Sequence, residues 1–115
     1  MLRGEVRLVD LEPAGGSEAN KLRPAVVVSN DRANAAAMRR KRGVVTVIPV
    51  TSNVTRIYPF QVLLPAAETG LRFDSKAQAE QIRSVAVERV GRLIGLLPPG
   101  ELMQLDDAMR LHLQL

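Results

Sequence analysis

The feature that most restricts how this chain can fold is a series of β-branched apolar runs of strand length, each closed by proline, glycine or asparagine. Residues 24–30 read Pro-Ala-Val-Val-Val-Ser-Asn, and residues 44–53 read Val-Val-Thr-Val-Ile-Pro-Val-Thr-Ser-Asn. Valine and isoleucine are stiff at χ1 and suit a pleated surface better than a helix. Ala25-Val26-Val27-Val28 lacks any polar alternation, which predicts a strand buried on both faces. GEVRLVDL (4–11) alternates instead, with Val6, Leu8 and Asp10 on one face and Val9 and Leu11 on the other. YPFQVLLP (58–65) and RLIGLLP (92–98) supply further strands. Pro49 puts the strand of 44–53 at an edge or beside a bulge.

The intervening segments are loops and helices. EPAGGSEANK (12–21) has loop composition, with a Gly15-Gly16 pair. Asn30 or Asp31 caps a short helix through residues 34–38, which the basic run RRKRG (39–43) ends. Residues 75–90 carry helix-favouring Ala, Glu and Gln yet alternate as a strand from Ile82 to Val87, so both assignments stay open. Pro98-Pro99-Gly100 opens a last helix, with Glu101 in its first turn. Leu102, Leu105, Met109 and Leu113 form a stripe on it, expected to pack in the core or at a dimer seam. Short strands closed by a helix predict one domain over residues 1–115. It is mostly β (α+β): a small twisted barrel or sheet, with a short helix after the second strand and a C-terminal helix packed outside.

Composition narrows the chemistry. With 46% hydrophobic and 24% charged residues, the 115-residue chain is ordinary for a globular domain. No apolar run is long enough to cross a bilayer, and the charged first residues do not resemble a secretory leader, so the expected location is cytoplasmic, with no membrane partner. Absence of cysteine removes disulfides, a thiolate nucleophile and zinc–thiolate sites. Residues 1–60 carry ten Lys/Arg against five Asp/Glu and the remainder six against seven, together the net +4. Thirteen of the sixteen cations are arginine, whose planar donor fork suits phosphate. A single histidine, His112, sits near the helical stripe and is expected to pack or to lie at its rim. No HxxxH pair, clustered ligand set, GxxxxGK[ST] or GxGxxG occurs, so neither a metal nor a nucleotide cofactor is expected.

Polar residues at strand ends remain. Arg23 precedes the 24–30 strand, Thr51-Ser52-Asn53 closes the 44–53 strand, and Glu18 lies in the loop before Arg23. They converge only if those strand ends are neighbours. Each also has a plain explanation: a strand-end cation meeting water, a β-forming threonine, a solvated loop acid.

Seven motifs now occur in register: RGEV (3–6), GSE (16–18), LRPAVVVSND (22–31), PVTSN (49–53), YPFQVLL (58–64), EQIRSV (80–85) and RLIGLLP (92–98). Over essentially its whole length the chain resembles the MazF/PemK family of bacterial toxin endoribonucleases. The resemblance implies an SH3-like β-barrel (MazF/PemK/CcdB-like) working as a homodimer. It implies metal-independent, sequence-specific cleavage of single-stranded RNA, chiefly messenger RNA, leaving 2′,3′-cyclic phosphate and 5′-hydroxyl ends. It further implies a cognate MazE-like antitoxin whose disordered acidic tail occupies the RNA groove. The family's catalytic arginine, threonine and loop glutamate match Arg23, Thr51 and Glu18.

The chemistry fits those residue types. The RNA's own 2′-hydroxyl is the nucleophile, so the protein must align the sugar and stabilise charge on the phosphoryl oxygens. Arg23 offers a permanent fork, held extended by Pro24, and Thr51 a neutral donor. A guanidinium has no acceptor atom, which makes Glu18 the better base, with Asp10 and Glu80 as rivals. Candidate RNA contacts are Asn20, Lys21, Ser52, Asn53, Tyr58, Gln78, Glu80 and Gln81, with Tyr58 as the stacking residue. Residues 39–42 are a solvated loop or a phosphate contact. Some PemK-branch relatives carry Arg-x-Asp where this chain reads Gln78-Ala79-Glu80, so any catalytic help from that position is altered. The alternatives are a CcdB-like gyrase-binding toxin, disfavoured by the absence of tryptophan, and a catalytically silent RNA-binding barrel.

Overall fold

The β-branched runs become β1 (Glu5–Asp10), β2 (Leu22–Val27) and β3 (Val44–Thr51). They are joined by β4 (Gln61–Leu64), β5 (Ser75–Gln78), β6 (Arg83–Ala86) and β7 (Val90–Leu96). Three α-helices among the described residues are α1 (Asp31–Arg40), α2 (Ala66–Thr69) and α3 (Pro99–Leu113). This computed structural model describes residues 1–11 and 22–115; the expected loop of 12–21, with Glu18, Asn20 and Lys21, lies outside the described residues.

All ladders are antiparallel. The sheet runs β4-β5-β3-β2-β1-β7, with β6 beside the first half of β3. It curls toward a barrel without a β4–β7 ladder among the described residues. The 25–28 segment is buried on both sides, as its lack of alternation requires. Val26 and Val28 enter one core with Val6, Ile48 and Leu105, whereas Ala25 and Val27 enter a second with Val9, Val45 and Val85. Helix α3 closes the first core through Leu105 and Ala108, and α1 contributes Ala37 to the second. Each fully buried valine or leucine contributes about 1.5–3 kcal/mol of hydrophobic stabilisation, so the sheet is a stiff middle layer.

Several local expectations change. The cap of α1 is Asn30, whose side chain accepts from the Ala33 N–H at 2.8 Å. The basic run does not end the helix from outside. Arg39 and Arg40 form its last turn, where cations favour the dipole, and Lys41 stops it in the left-handed region at φ 54°. Pro49 is not on an edge strand, since β3 is paired on both sides. Pro49 lies where one side of β3 passes from β6, paired through Val47, to β5, paired from Val50, so its missing N–H falls in a gap between ladders. Residues 75–90 are not one helix: a 3-10 turn at Ala79–Gln81 separates β5 from β6, and a second at Val87–Arg89 leads into β7. Tyr58–Phe60 precede β4 rather than belong to it. On α3, Leu113 is 46% exposed and outside the core.

The turn after α2 is bound tightly to β7, and two glycines make this possible. Gly70 has φ +79°, and a Cβ there would stand 2.5 Å from the Ile94 carbonyl oxygen. A Cβ on Gly95 would stand 2.0 Å from the Thr69 carbonyl oxygen. Backbone therefore meets backbone, which fixes residues 70–73 against the outer strand.

Candidate active site

Strands β2 and β3 pair with Ala25 opposite Pro49. Carried two residues outward, the same register brings Arg23 across from Thr51, and both line an open cleft of about 330 Å³. Leu8, Pro24, Val50 and Ile94 give it an apolar lining. Arg72 and Phe73 join from the turn after α2, and Arg92 joins from β7. Ser52 and Ser75 add hydroxyls. The Ser75 hydroxyl is committed, donating to the Phe73 carbonyl at 2.8 Å. Thr51 Oγ1 accepts from the Asn53 N–H at 3.2 Å, an acceptor role that leaves its own proton available to a ligand.

The electrostatics are one-sided. Three arginines line the cleft, and among the described residues no Asp or Glu does. Ion pairs among the described residues join Arg3 to Asp106, Arg7 to Glu5 and Arg110 to Asp107, and none involves a cleft arginine. Such a site holds anions, and the arginine fork favours phosphate oxygens.

The remaining expected contacts gather elsewhere. Tyr58 stacks on Phe60 with centroids 5.4 Å apart and planes 6° from parallel, and the Arg56 guanidinium lies 5.0 Å from its centroid. Gln61 ties this turn to the 3-10 segment: its Oε1 accepts from the Tyr58 N–H at 3.1 Å and its Nε2 donates to Glu80 Oε2 at 2.7 Å. Glu80 Oε1 is buried without a partner among the described residues. Gln78 faces Gln61 in the β4–β5 register, and Gln81 Oε1 accepts from Arg83 at 3.2 Å. None of Tyr58, Gln78, Glu80 or Gln81 lines the cleft. Lys76 connects the two regions. It stands opposite Thr51 in the ladder, is 7% exposed, and donates to the Arg56 carbonyl at 2.6 Å.

A family model described as PemK-like, MazF-like toxin of type II toxin–antitoxin system matches residues 2–113. The chain belongs to this family. It is 66% identical over 115 residues to endoribonuclease MazF9 of Mycobacterium tuberculosis, covering 100% of this chain and 98% of that one. Endoribonuclease MazF of Staphylococcus epidermidis is 30% identical over 114 residues, covering 98% and 91%. In fold it matches MazF from the MazE–MazF crystal structure of Deinococcus radiodurans, with a TM-score of 0.75 at 23% identity over 100% and 97% of the two chains. Toxin MazF-mt6 of M. tuberculosis gives 0.75 at 22% identity over 96% and 97%.

In this PemK/MazF-family chain the cleft therefore holds Arg23, Thr51 and Ser52, with Asn53 bonded to Thr51. Glu18, Asn20 and Lys21 lie outside the described residues. Arg39, Arg40, Lys41 and Arg42 are exposed and do not line the cleft. His112 is exposed in the last turn of α3, a rim position. Arg72, Phe73 and Arg92 escaped the sequence reading. Arg72 and Phe73 belong to no periodic run and reach the cleft where Gly70 seats on β7, while Arg92 begins the 92–98 run and is placed by the β1–β7 ladder. No helix among the described residues is long and apolar enough to cross a membrane.

Proposed function

We propose that this chain is a metal-independent endoribonuclease toxin that cleaves single-stranded RNA at a short sequence, using the RNA's own 2′-hydroxyl. The observation that carries the reading is that Arg23 and Thr51 line one cleft together with Arg72 and Arg92. The 66% identity to a relative named an endoribonuclease supports it independently.

The proposed reaction balances without a protein nucleophile. The 2′-oxygen forms a bond to phosphorus as the bond to the 5′-oxygen breaks. The 2′-hydroxyl proton passes to a base, and the departing 5′-oxygen takes up a proton from Arg23, which solvent restores, to become a hydroxyl. Arg23 holds the non-bridging oxygens, whose charge grows in the transition state, and Thr51 donates a second bond to them. A 2′,3′-cyclic phosphate and a 5′-hydroxyl result. Glu18 is the base in this scheme. A Glu18→Gln variant is expected to lose the acidic limb of the pH–rate profile, and retention of that limb removes Glu18 from the role.

The working form in this proposal is a cytoplasmic homodimer, held inactive by an antitoxin whose acidic tail covers the arginine cleft. Structural neighbours include an endoribonuclease in complex with its cognate antitoxin, of the same fold as this chain at a TM-score of 0.72. Incubation with a long single-stranded RNA in excess EDTA is the test. Discrete cuts with cyclic-phosphate ends, abolished by Arg23→Ala, are expected. Intact RNA, or 3′-hydroxyl ends, overturns the proposal.

A further inference from the structure

We infer that Arg72, Phe73 and Arg92 form a second nucleotide subsite, which grips the phosphate and base next to the scissile bond. The inference rests on the RNA-cleaving reading of the cleft and adds to it residues outside the Arg23–Thr51 pair.

Charge comes first. A phosphodiester carries a single negative charge, whereas the described lining of the cleft presents three arginines and no acidic residue. That excess matches a run of phosphates better than an isolated one. Spacing agrees. Arg23 on β2 and Arg92 on β7 flank β1, so their backbones stand two strand spacings apart, roughly 10 Å. Backbones that far apart let the two long side chains address separate phosphates of one strand.

Phe73 supplies the base platform. The residue is 64% exposed, unusual for phenylalanine, and the Arg72 guanidinium lies 5.8 Å from the ring centroid. A base laid on this ring gains aromatic stacking, with a cation beside it, and every base has the π-face required. Tyr58, the expected stacking residue, already has Phe60 against its ring. The platform is held in place before RNA arrives. Gly70 is pressed onto Ile94, the Ser75 hydroxyl bonds the Phe73 carbonyl, and Asp74 Oδ1 accepts from the Ala66 N–H at 2.8 Å. Little ordering entropy then opposes binding. The subsite reads backbone and π-face, so it is expected to strengthen binding without choosing the cut sequence.

The test measures binding of the full chain to a short random-sequence 2′-O-methyl RNA, which lacks a nucleophile, across a salt series. Wild type sets the slope of log K against log salt. Arg72→Ala and Arg92→Ala are each expected to reduce that slope by about 0.7, the share of one phosphate on a single strand. Arg92→Lys is expected to keep the slope. Phe73→Leu is expected to weaken binding about tenfold with the slope unchanged. On cleavable RNA the same Ala variants are expected to raise KM about tenfold while cutting at the same positions. Slopes and KM values equal to wild type in properly folded variants overturn the subsite. If unmodified RNA stays intact with wild type, the nuclease reading fails by itself, because the salt slope is read without cleavage.

Discussion

Arginines on neighbouring strands of the sheet live under opposite rules. Arg3 and Arg7 are enclosed by partners. Arg7 Nε lies 2.8 Å from Glu5 Oε1, with Nη1 donating to the Gly91 carbonyl at 3.0 Å. Arg3 Nε donates to the Val28 carbonyl at 2.8 Å and its guanidinium pairs with Asp106, which ties the first residues to α3. Arg23, Arg72 and Arg92 share one cleft and have no ion pair among the described residues. The same side chain is thus an internal fastener in one place and a receptor for external charge in the other. A cluster of like charges repels itself in the folded protein, so its natural complement is an anion from outside.

Substitutions can break this contrast or sharpen it. Arg23→Ala is expected to lower kcat/KM for RNA cleavage by roughly a thousandfold while leaving the melting temperature within about 1 °C, since Arg23 is exposed. Thr51→Val keeps the β-branched shape and removes the hydroxyl. It is expected to cost roughly 10- to 100-fold in kcat/KM, again without loss of stability. Arg7→Ala should do the reverse. It strands the Glu5 carboxylate, only 11% exposed at its side chain, and is expected to destabilise the fold by about 2 kcal/mol. Thermal melting would show this as a drop of roughly 8 °C, with activity per folded molecule retained. Arg3→Ala is expected to be milder, about 1 kcal/mol, because the pair with Asp106 is near 30% exposed on both sides. An Arg7→Ala protein that is stable but inactive, or an Arg23→Ala protein that is destabilised yet fully active per folded molecule, would erase the distinction.

Much of the fold was legible because burial and β-branching agree. Val26–Val28 and Val45–Val50 have few polar residues to turn outward, and they became the double-sided middle layer. Asn30 was legible as a cap because its short side chain reaches the first-turn N–H. Ser75–Gln78 was not, because lysine, alanine and glutamine favour helix locally and only the ladders to β3 and β4 make them a strand. Pro49 misled for a similar reason: a proline reports a missing donor, not which side of the strand has a gap. At the site, Arg23 and Thr51 stand out as polar residues ending apolar strands. Arg72, Phe73 and Arg92 do not, since their meeting depends on two glycines allowing backbone contact across distant segments.

A double-mutant cycle on kcat/KM with Arg23→Ala, Thr51→Val and the combined variant tests most directly whether guanidinium and hydroxyl act on one phosphodiester. If they do, the double variant loses clearly less than the product of the two single losses, because removing the first disorders the group that the second would bind. Losses that multiply, as for independent sites, would contradict the account.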